Sequence, residues 1–228
     1  MVSTYCVDLD EFKDEEILND LLNYVSEDKR LRLLRYRFLD DRKRGVVSDL
    51  LIRYIINRKL NYKIKDIIFK YNNFGKPYLF GSSEFQYNIS HSGKYVVCAT
   101  SNKAIGVDIE NIKPIDMSII KHVFTKNEYN DFENAEKKTE TFYSIWTLKE
   151  SFVKLIGSGL NIPLNSFCID GIFNTNTYCK YKDETFYFKQ YNIDPDYKLS
   201  ICYKEKILQD EIKIFKFKNF LKELHVIL

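Results

Sequence analysis

The chain has 228 residues, is 45% hydrophobic and 29% charged, and carries a formal net charge of +3. That content supports one large domain or two small ones with real cores, and the near-cancelling charge argues against a general nucleic-acid binder while leaving room for a local basic patch. Five scattered cysteines (Cys6, Cys98, Cys168, Cys179 and Cys202) form no Cys-x-x-Cys pair, and no leader or membrane-length apolar run is seen, so a cytoplasmic protein without zinc, disulfides or a membrane partner is expected.

Tyr5-Cys6-Val7-Asp8-Leu9-Asp10 opens as a strand, followed by an apolar helix through Leu21, Leu22 and Val25. Ser26-Glu27-Asp28 then starts a basic helix with Lys29, Arg30, Arg32, Arg35 and Arg37. A longer helix from about Asp40 has an apolar stripe of Val47, Leu50, Leu51, Tyr54 and Ile55. A strand over 67–70, a turn over 72–77 and a strand pair over 85–90 and 95–100 follow, the pair meeting around Ser90-His91-Ser92-Gly93-Lys94.

Gly106-Val107-Asp108-Ile109-Glu110 reads as a buried strand. Alternation puts Val107 and Ile109 on a core face and pairs Asp108 with Glu110 on the other. Farther on, Phe142, Ile145, Phe152 and Ile156 suit the buried stripe of a helix. Trp146, Glu150 and Lys154 stack beside them at i, i+4 and i+8. A third carboxylate and an ammonium can thus meet the strand's acidic pair, an all-oxygen set of the kind Mg²⁺ prefers. Taken alone, the pair reads as solvated acids on an edge strand and Glu150/Lys154 as a surface ion pair, and it is the rest of the chain that raises the metal reading.

The second half repeats the first. Val7-Asp8-Leu9-Asp10 matches Val107-Asp108-Ile109-Glu110, Ser48-Asp49 matches Lys149-Glu150, Leu60-Asn61 matches Leu160-Asn161, and Tyr87-Asn88-Ile89 matches Tyr191-Asn192-Ile193. The expected fold is α+β, a pseudo-dimer of residues 1–104 and 105–228. Each half is expected to be a small antiparallel sheet packed on a long helix. The repeat is unequal: Ser90-His91-Ser92-Gly93 suits an anion, whereas Asp194-Pro195-Asp196 at the second position repels one. One composite site at the interface is therefore expected, with the phosphate cradle in the first half and the metal carboxylates in the second. On this reading Asp8, Asp10 and Asp49 are first-half counterparts of the acidic trio and bind no catalytic metal.

Tyr87-Asn88-Ile89-Ser90-His91-Ser92, Gly106-Val107-Asp108-Ile109-Glu110 and Trp146-x-x-Lys149-Glu150-Ser151-Phe152-x-Lys154 resemble the three signatures of 4′-phosphopantetheinyl transferases of the double-length Sfp type, which activate peptide and polyketide synthetases. Gly75-Lys76-Pro77 resembles a further family motif. The resemblance runs from about Tyr5 to Tyr203 and implies a pseudo-dimer with one site between its halves. It also implies Mg²⁺-dependent transfer of the phosphopantetheine arm of coenzyme A to a serine of an apo acyl or peptidyl carrier protein, releasing adenosine 3′,5′-bisphosphate. By position it gives Asp108, Glu110 and Glu150 the metal-ligand roles and makes Glu150 also the base for the serine proton. Lys154 is set against the pyrophosphate, and Lys29, Arg32, Arg44, Lys76, Ser90 and His91 hold the nucleotide and its extra phosphate. A monomer acting on fatty-acid, polyketide or peptidyl carriers is implied. The rival readings are a non-catalytic coenzyme A or nucleotide-binding module and a metal-dependent phosphohydrolase.

Two positions depart from the family pattern. Arg32 stands where many relatives have Lys, replacing a point donor with a planar fork, and Gly45 stands where a larger or hydroxyl residue is common. The segment 122–138, where Phe124, Tyr129 and Phe132 lie among Lys121, Lys126, Lys137 and Lys138, reads in two ways: as a dock for the carrier, or as aromatics packed into the second half as the repeat's equivalent of Leu21–Leu34. The tail 211–228 lies beyond the resemblance.

Overall fold

The computed structural model describes residues 2–172, 176–205 and 210–228. The first half runs β1 (Val2–Asp8), α1 (Glu15–Leu21), α2 (Glu27–Leu34), α3 (Leu39–Leu60), β2 (Phe69–Tyr71), β3 (Pro77–Leu79), β4 (Gln86–Ser92) and β5 (Tyr95–Ser101). The second runs β6 (Ile105–Asn111), α4 (Ile120–Val123), α5 (Lys126–Glu133), α6 (Lys138–Ile156), β7 (Thr177–Tyr181), β8 (Glu184–Tyr191) and β9 (Tyr197–Tyr203). The chain closes with β10 (Asp210–Lys216) and α7 (Phe217–His225).

Two four-stranded sheets, ordered β10-β1-β5-β4 and β6-β9-β8-β7, pack face to face. Alternation along each strand makes this possible. Cys6, Val97 and Ala99 of the first sheet meet Val107, Ile109, Leu199 and Ile201 of the second in one dry layer. The opposite face of the first sheet, with Val7, Val96 and Cys98, covers α3 through Val47, Leu50 and Leu51. Phe186, Phe188 and Cys202 of the second sheet cover α6 through Ile145, Leu148 and Phe152. The α+β pseudo-dimer expected from the repeat is the fold, with β1-β5-β4 echoed by β6-β9-β8.

Its register differs from the sequence match by one residue. Val7, not Asp8, faces the long helix of its half, as Asp108 does. The pairing that works is an offset of 101, which also sets Asp49 and Arg53 on α3 against Glu150 and Lys154 on α6. A one-residue slip moves every strand side chain to the other face. Val7 and Leu9 therefore occupy the places of Asp108 and Glu110, and the first half has no acidic pair there. Asp8 looks the other way. Burial pushes its carboxyl up, but the Lys216 ammonium at 2.6 Å and the Asp10 amide bring it below its ordinary value.

The expected boundary at 105–228 also changes. β10 pairs with β1 in parallel, and Phe215, Phe217, Phe220 and Leu224 join the first-half core. The outer edge of β1 and the apolar face beneath it are covered by this returning arm, which makes the first sheet mixed rather than antiparallel.

Two of the three aromatic anchors expected on 122–138 are core residues, while Tyr129 stays 45% exposed. Phe132 is 0% and Phe124 6% exposed, their rings packing at 5.5 Å and Phe124 meeting Phe142 at 5.7 Å. The segment closes the second-half core through a Thr125/Glu128 capping box at the start of α5. Ile156, expected in the buried stripe of α6, is exposed because the helix ends there at Gly157.

Beneath α6 lies a fully buried ion pair. Lys149 Nζ donates to Glu128 Oε2 at 2.8 Å and to the Leu164 and Phe167 carbonyls at 2.8 and 2.6 Å. Glu128 accepts from the Thr125 and Ile169 amides, so every strong donor of the ammonium is used. Removing one member of a buried pair costs about 3–5 kcal/mol because the other charge is stranded, whereas replacing both with apolar groups costs far less. Lys149→Met should therefore lower unfolding free energy in urea by about 3–5 kcal/mol. Lys149→Met with Glu128→Leu should lose clearly less than the losses of the two single variants added together, and a double loss equal to that sum would show that the pair is not coupled.

Candidate active site

The site forms where the edge of the second sheet meets the polar face of β4. β6 pairs with β9 on one side, leaving the Val107, Ile109 and Asn111 amides pointing away from its own sheet. They are taken up by Asn88 Oδ1 at 2.9 Å, Ser90 Oγ at 3.4 Å and Ser92 Oγ at 3.1 Å. The two serines turn their own protons onto the acids of β6, Ser90 to Asp108 Oδ1 and Ser92 to Glu110 Oε2, both at 2.9 Å.

α6 lies directly over these acids because Gly106 has no side chain. A Cβ there would stand 1.9 Å from the Ser151 carbonyl oxygen and 2.5 Å from the Leu155 amide. The close approach brings Lys154 Nζ to 2.5 Å from Asp108 Oδ1 and 2.9 Å from Ser90 Oγ. Ser90 is thereby saturated, donating to Asp108 and accepting from Lys154 and Ile109.

Burial pushes the Asp108 carboxyl up, with Lys154 and Ser90 opposing. Burial and then Asp108 raise Glu110, and burial and then Asp108 raise Glu150, with Lys154 the opposing cation at each. Three mutually repelling carboxylates therefore share one ammonium. Asp108 Oδ2 is buried without a hydrogen-bond partner. Among the described residues no three His, Cys, Asp or Glu side chains are gathered closely enough to hold a metal on their own. The orphaned Oδ2 and the all-carboxylate donor set nevertheless fit a hard divalent cation, which commonly takes one or two carboxylates and completes its shell with water and phosphate.

The basic residues separate into three groups. His91 points from β4 to the face opposite Ser90 and is exposed; crowding that desolvates the ring, and then the Arg44 and Lys154 charges, hold its imidazole below the ordinary value. Arg44 donates to the Gly93 carbonyl at 2.8 Å and pairs with Asp41, so it stands beside the β4–β5 turn. Lys29 and Arg32 border a cavity of about 1090 Å³ in the first half, together with Asp49, Arg53, Lys63 and Lys65. Burial lowers the Lys29 ammonium, with Asp49 opposing. Gly45 is explained by packing: a Cβ there would meet Leu33 Cδ2 at 2.2 Å, so the glycine lets α2 lie on α3.

The Lys76 ammonium donates to the Lys154, Leu155 and Ile105 carbonyls at 2.6, 3.1 and 3.2 Å, and burial pulls its pKa down to about 8. With its three donors on these carbonyls, it clamps the β2–β3 hairpin to α6 and β6. The sequence reading also missed Asn88 and Ser92, although the polar i, i+2, i+4 spacing of Asn88, Ser90 and Ser92 in an otherwise apolar strand marks all three.

Residues 13–103 match the family described as 4′-phosphopantetheinyl transferase, N-terminal, and residues 104–202 match the 4′-phosphopantetheinyl transferase superfamily. The chain is 32% identical over 228 residues to the 4′-phosphopantetheinyl transferase Sfp of Bacillus subtilis, covering 95% of this chain and 99% of that one. It is 36% identical over 192 residues to the 4′-phosphopantetheinyl transferase gsp of Aneurinibacillus migulanus, covering 83% and 80%. No described helix is long and apolar enough to cross a membrane.

The raised carboxyls set a sign for pH dependence. A group whose pKa rises on folding binds more protons native than unfolded, so stability falls as pH climbs above the ordinary glutamate value of 4.5. Glu110→Gln keeps an acceptor for Ser92 and removes one repelling charge. The variant should equal or exceed the parent in urea at pH 8, and its stability should vary less with pH. A loss above about 1 kcal/mol at pH 8, with none at pH 5, would reverse the sign and refute the repulsion.

Proposed function

This chain belongs to the 4′-phosphopantetheinyl transferase superfamily and is of the Sfp type, and from that premise we propose how its own residues carry the transfer. The reaction moves the 4′-phosphopantetheine arm of coenzyme A onto a serine of an apo acyl or peptidyl carrier protein. The serine oxygen forms a bond to the phosphorus that carries the arm. The bond from that phosphorus to the bridging pyrophosphate oxygen breaks, and adenosine 3′,5′-bisphosphate leaves with the electron pair. The observation that carries the reading is the junction of Asp108, Glu110, Glu150 and Lys154 above the Ser90/Ser92 seam.

Asp108, Glu110 and Glu150 would hold the magnesium ion that is typical of this family. When bound, the ion supplies charge neutralisation at the pyrophosphate. Glu150, its carboxyl raised by burial and by Asp108, receives the serine proton on a carboxylate oxygen. Lys154 exchanges its hold on Ser90 for a phosphate oxygen and stabilises charge building on the leaving group. His91 and Arg44 bind phosphate beside the β4–β5 turn, and Lys29 and Arg32 take the nucleotide end toward the first-half cavity. The first half, residues 1–104, is thus the phosphate cradle and the second the acidic centre, with the 210–228 arm counted structurally with the first. The sheet–sheet layer that a single half would expose is covered within the chain, which favours a monomer.

Incubation with coenzyme A, Mg²⁺ and an apo carrier protein should add the phosphopantetheine mass to the carrier. Asp108→Ala should abolish this while keeping the fold, and full activity of that variant at saturating Mg²⁺ would sink the assignment.

The helix-facing places of Asp108 and Glu110 hold Val7 and Leu9 in the first half, so calorimetry should give one coenzyme A per chain. Two equivalent sites would contradict the asymmetry.

A further inference from the structure

The β4–β5 and β8–β9 turns, which the repeat matches to each other, touch across the interface between the halves. On charge alone the turn Asp194-Pro195-Asp196 repels an anion, but the Asp194 charge is engaged by the other half. One of its oxygens accepts from the Lys94 ammonium at 2.9 Å and the Tyr95 hydroxyl at 3.1 Å. The Asp196 amide caps the other oxygen at 2.9 Å. Tyr197, at the start of β9, is buried with its ring edge-on to Tyr95 at 4.8 Å between centres. Both rings are therefore fixed before any ligand arrives.

From this anchorage the Tyr197 hydroxyl reaches the turn that carries His91 and Ser92. The Lys94 amide donates to Tyr197 Oη at 3.1 Å. The Gly93 carbonyl, at the other end of the same peptide unit, accepts from Arg44 at 2.8 Å. A peptide unit is rigid and planar, so holding its two ends fixes its direction. One plane is thus gripped by a tyrosine of the second half and an arginine of the first. Gly93 marks how tight the grip is. Its φ is +51°, and a Cβ there would stand 2.1 Å from Tyr197 Oη. Were the plane to turn over, an amide would face the Arg44 guanidinium, donor against donor. The second terminal nitrogen of Arg44 is taken by Asp41, so the direction of its fork depends on that carbonyl and that carboxylate.

We propose that Tyr197 is a positioning residue for coenzyme A: its hydroxyl sets the Gly93–Lys94 peptide and, through it, the direction in which Arg44 meets a phosphate. This rests on the reading that gives Arg44 and His91 the phosphate groups. Tyr197 touches no substrate itself. Its effect passes through one peptide plane and one guanidinium, and Asp194 holds the two turns together while it does so.

The test is a double-variant cycle on Tyr197→Phe and Arg44→Ala, with coenzyme A affinity read by calorimetry and KM by transfer to an apo carrier protein. Tyr197→Phe keeps the ring and its contact with Tyr95, so its melting temperature should stay within about 4 °C of the parent. It should weaken coenzyme A binding and raise the coenzyme A KM about fivefold, while kcat and the carrier KM stay within about twofold. In the Arg44→Ala background the same substitution should change coenzyme A affinity less than about twofold, because the group it positions is gone. Equal losses in the two backgrounds overturn the proposal, since the hydroxyl then acts by another route. So does an unchanged affinity in Tyr197→Phe, and so does a fall in kcat with no change in coenzyme A binding. If the parent binds coenzyme A but transfers nothing, the transferase reading fails alone and the calorimetric cycle still decides. A parent that binds no coenzyme A overturns the proposal, because Arg44 then has no phosphate to meet.

Discussion

The structure depends on an edge strand being satisfied by side chains rather than by another strand. β6 has one neighbour, and its outward amides would be stranded between two packed sheets without partners. Asn88, Ser90 and Ser92 accept them at every second residue, in phase with the strand repeat. Because those hydroxyls have a proton left over, the same seam that joins the halves also fixes the rotation of Asp108 and Glu110. Cohesion and placement of the acidic groups are thus one set of hydrogen bonds.

From this seam the distribution of charge follows. Gly106 admits α6 close enough for Lys154 to meet Asp108, yet a single ammonium leaves Glu110 and Glu150 in mutual repulsion. The first half solved the corresponding position differently. Arg53 pairs with Asp49 at 2.6 Å and spends further donors on the Ile64 and Ile67 carbonyls, leaving a closed structural pair where the second half keeps an open, strained one. The two long helices carry the same acid–base spacing, and only one of them has carboxylates on the strand below it.

Much of this was legible in the sequence. Alternation in Val107-Asp108-Ile109-Glu110 and the i, i+4 spacing of Glu150 and Lys154 named the residues that meet, because both rest on backbone periods that tertiary packing preserves. What was not legible depends on register and reach. Asp8 was matched to Asp108 through letter identity, and the one-residue slip became visible only when the faces were seen. The clamp made by Lys76 was not legible because a long side chain does not announce which carbonyls lie within its span. Phe124 and Phe132 read as either a surface or a core lid, because aromatics near lysines look alike in both; their burial beside the capping box and Glu128 makes them a lid. The parallel return of β10 was beyond reach, since nothing local in 210–216 says which sheet it will join.

That return has a bearing on how the chain is made. β10 leaves the ribosome after the whole of the second half, yet it completes the sheet of the half that emerges first. While β6 through β9 are being synthesised, β1 has an open edge, and the hydrophobic floor later covered by Phe217, Phe220 and Leu224 faces water. Domains usually fold as units in the order they appear, but this one is held unfinished by a contact spanning nearly the whole length of the chain. The second sheet can assemble on local pairings, and it then offers its dry face to a partner still missing a strand. Closure of the first half is therefore the late, long-range step of folding, and it is there that an exposed strand edge is available to neighbouring chains.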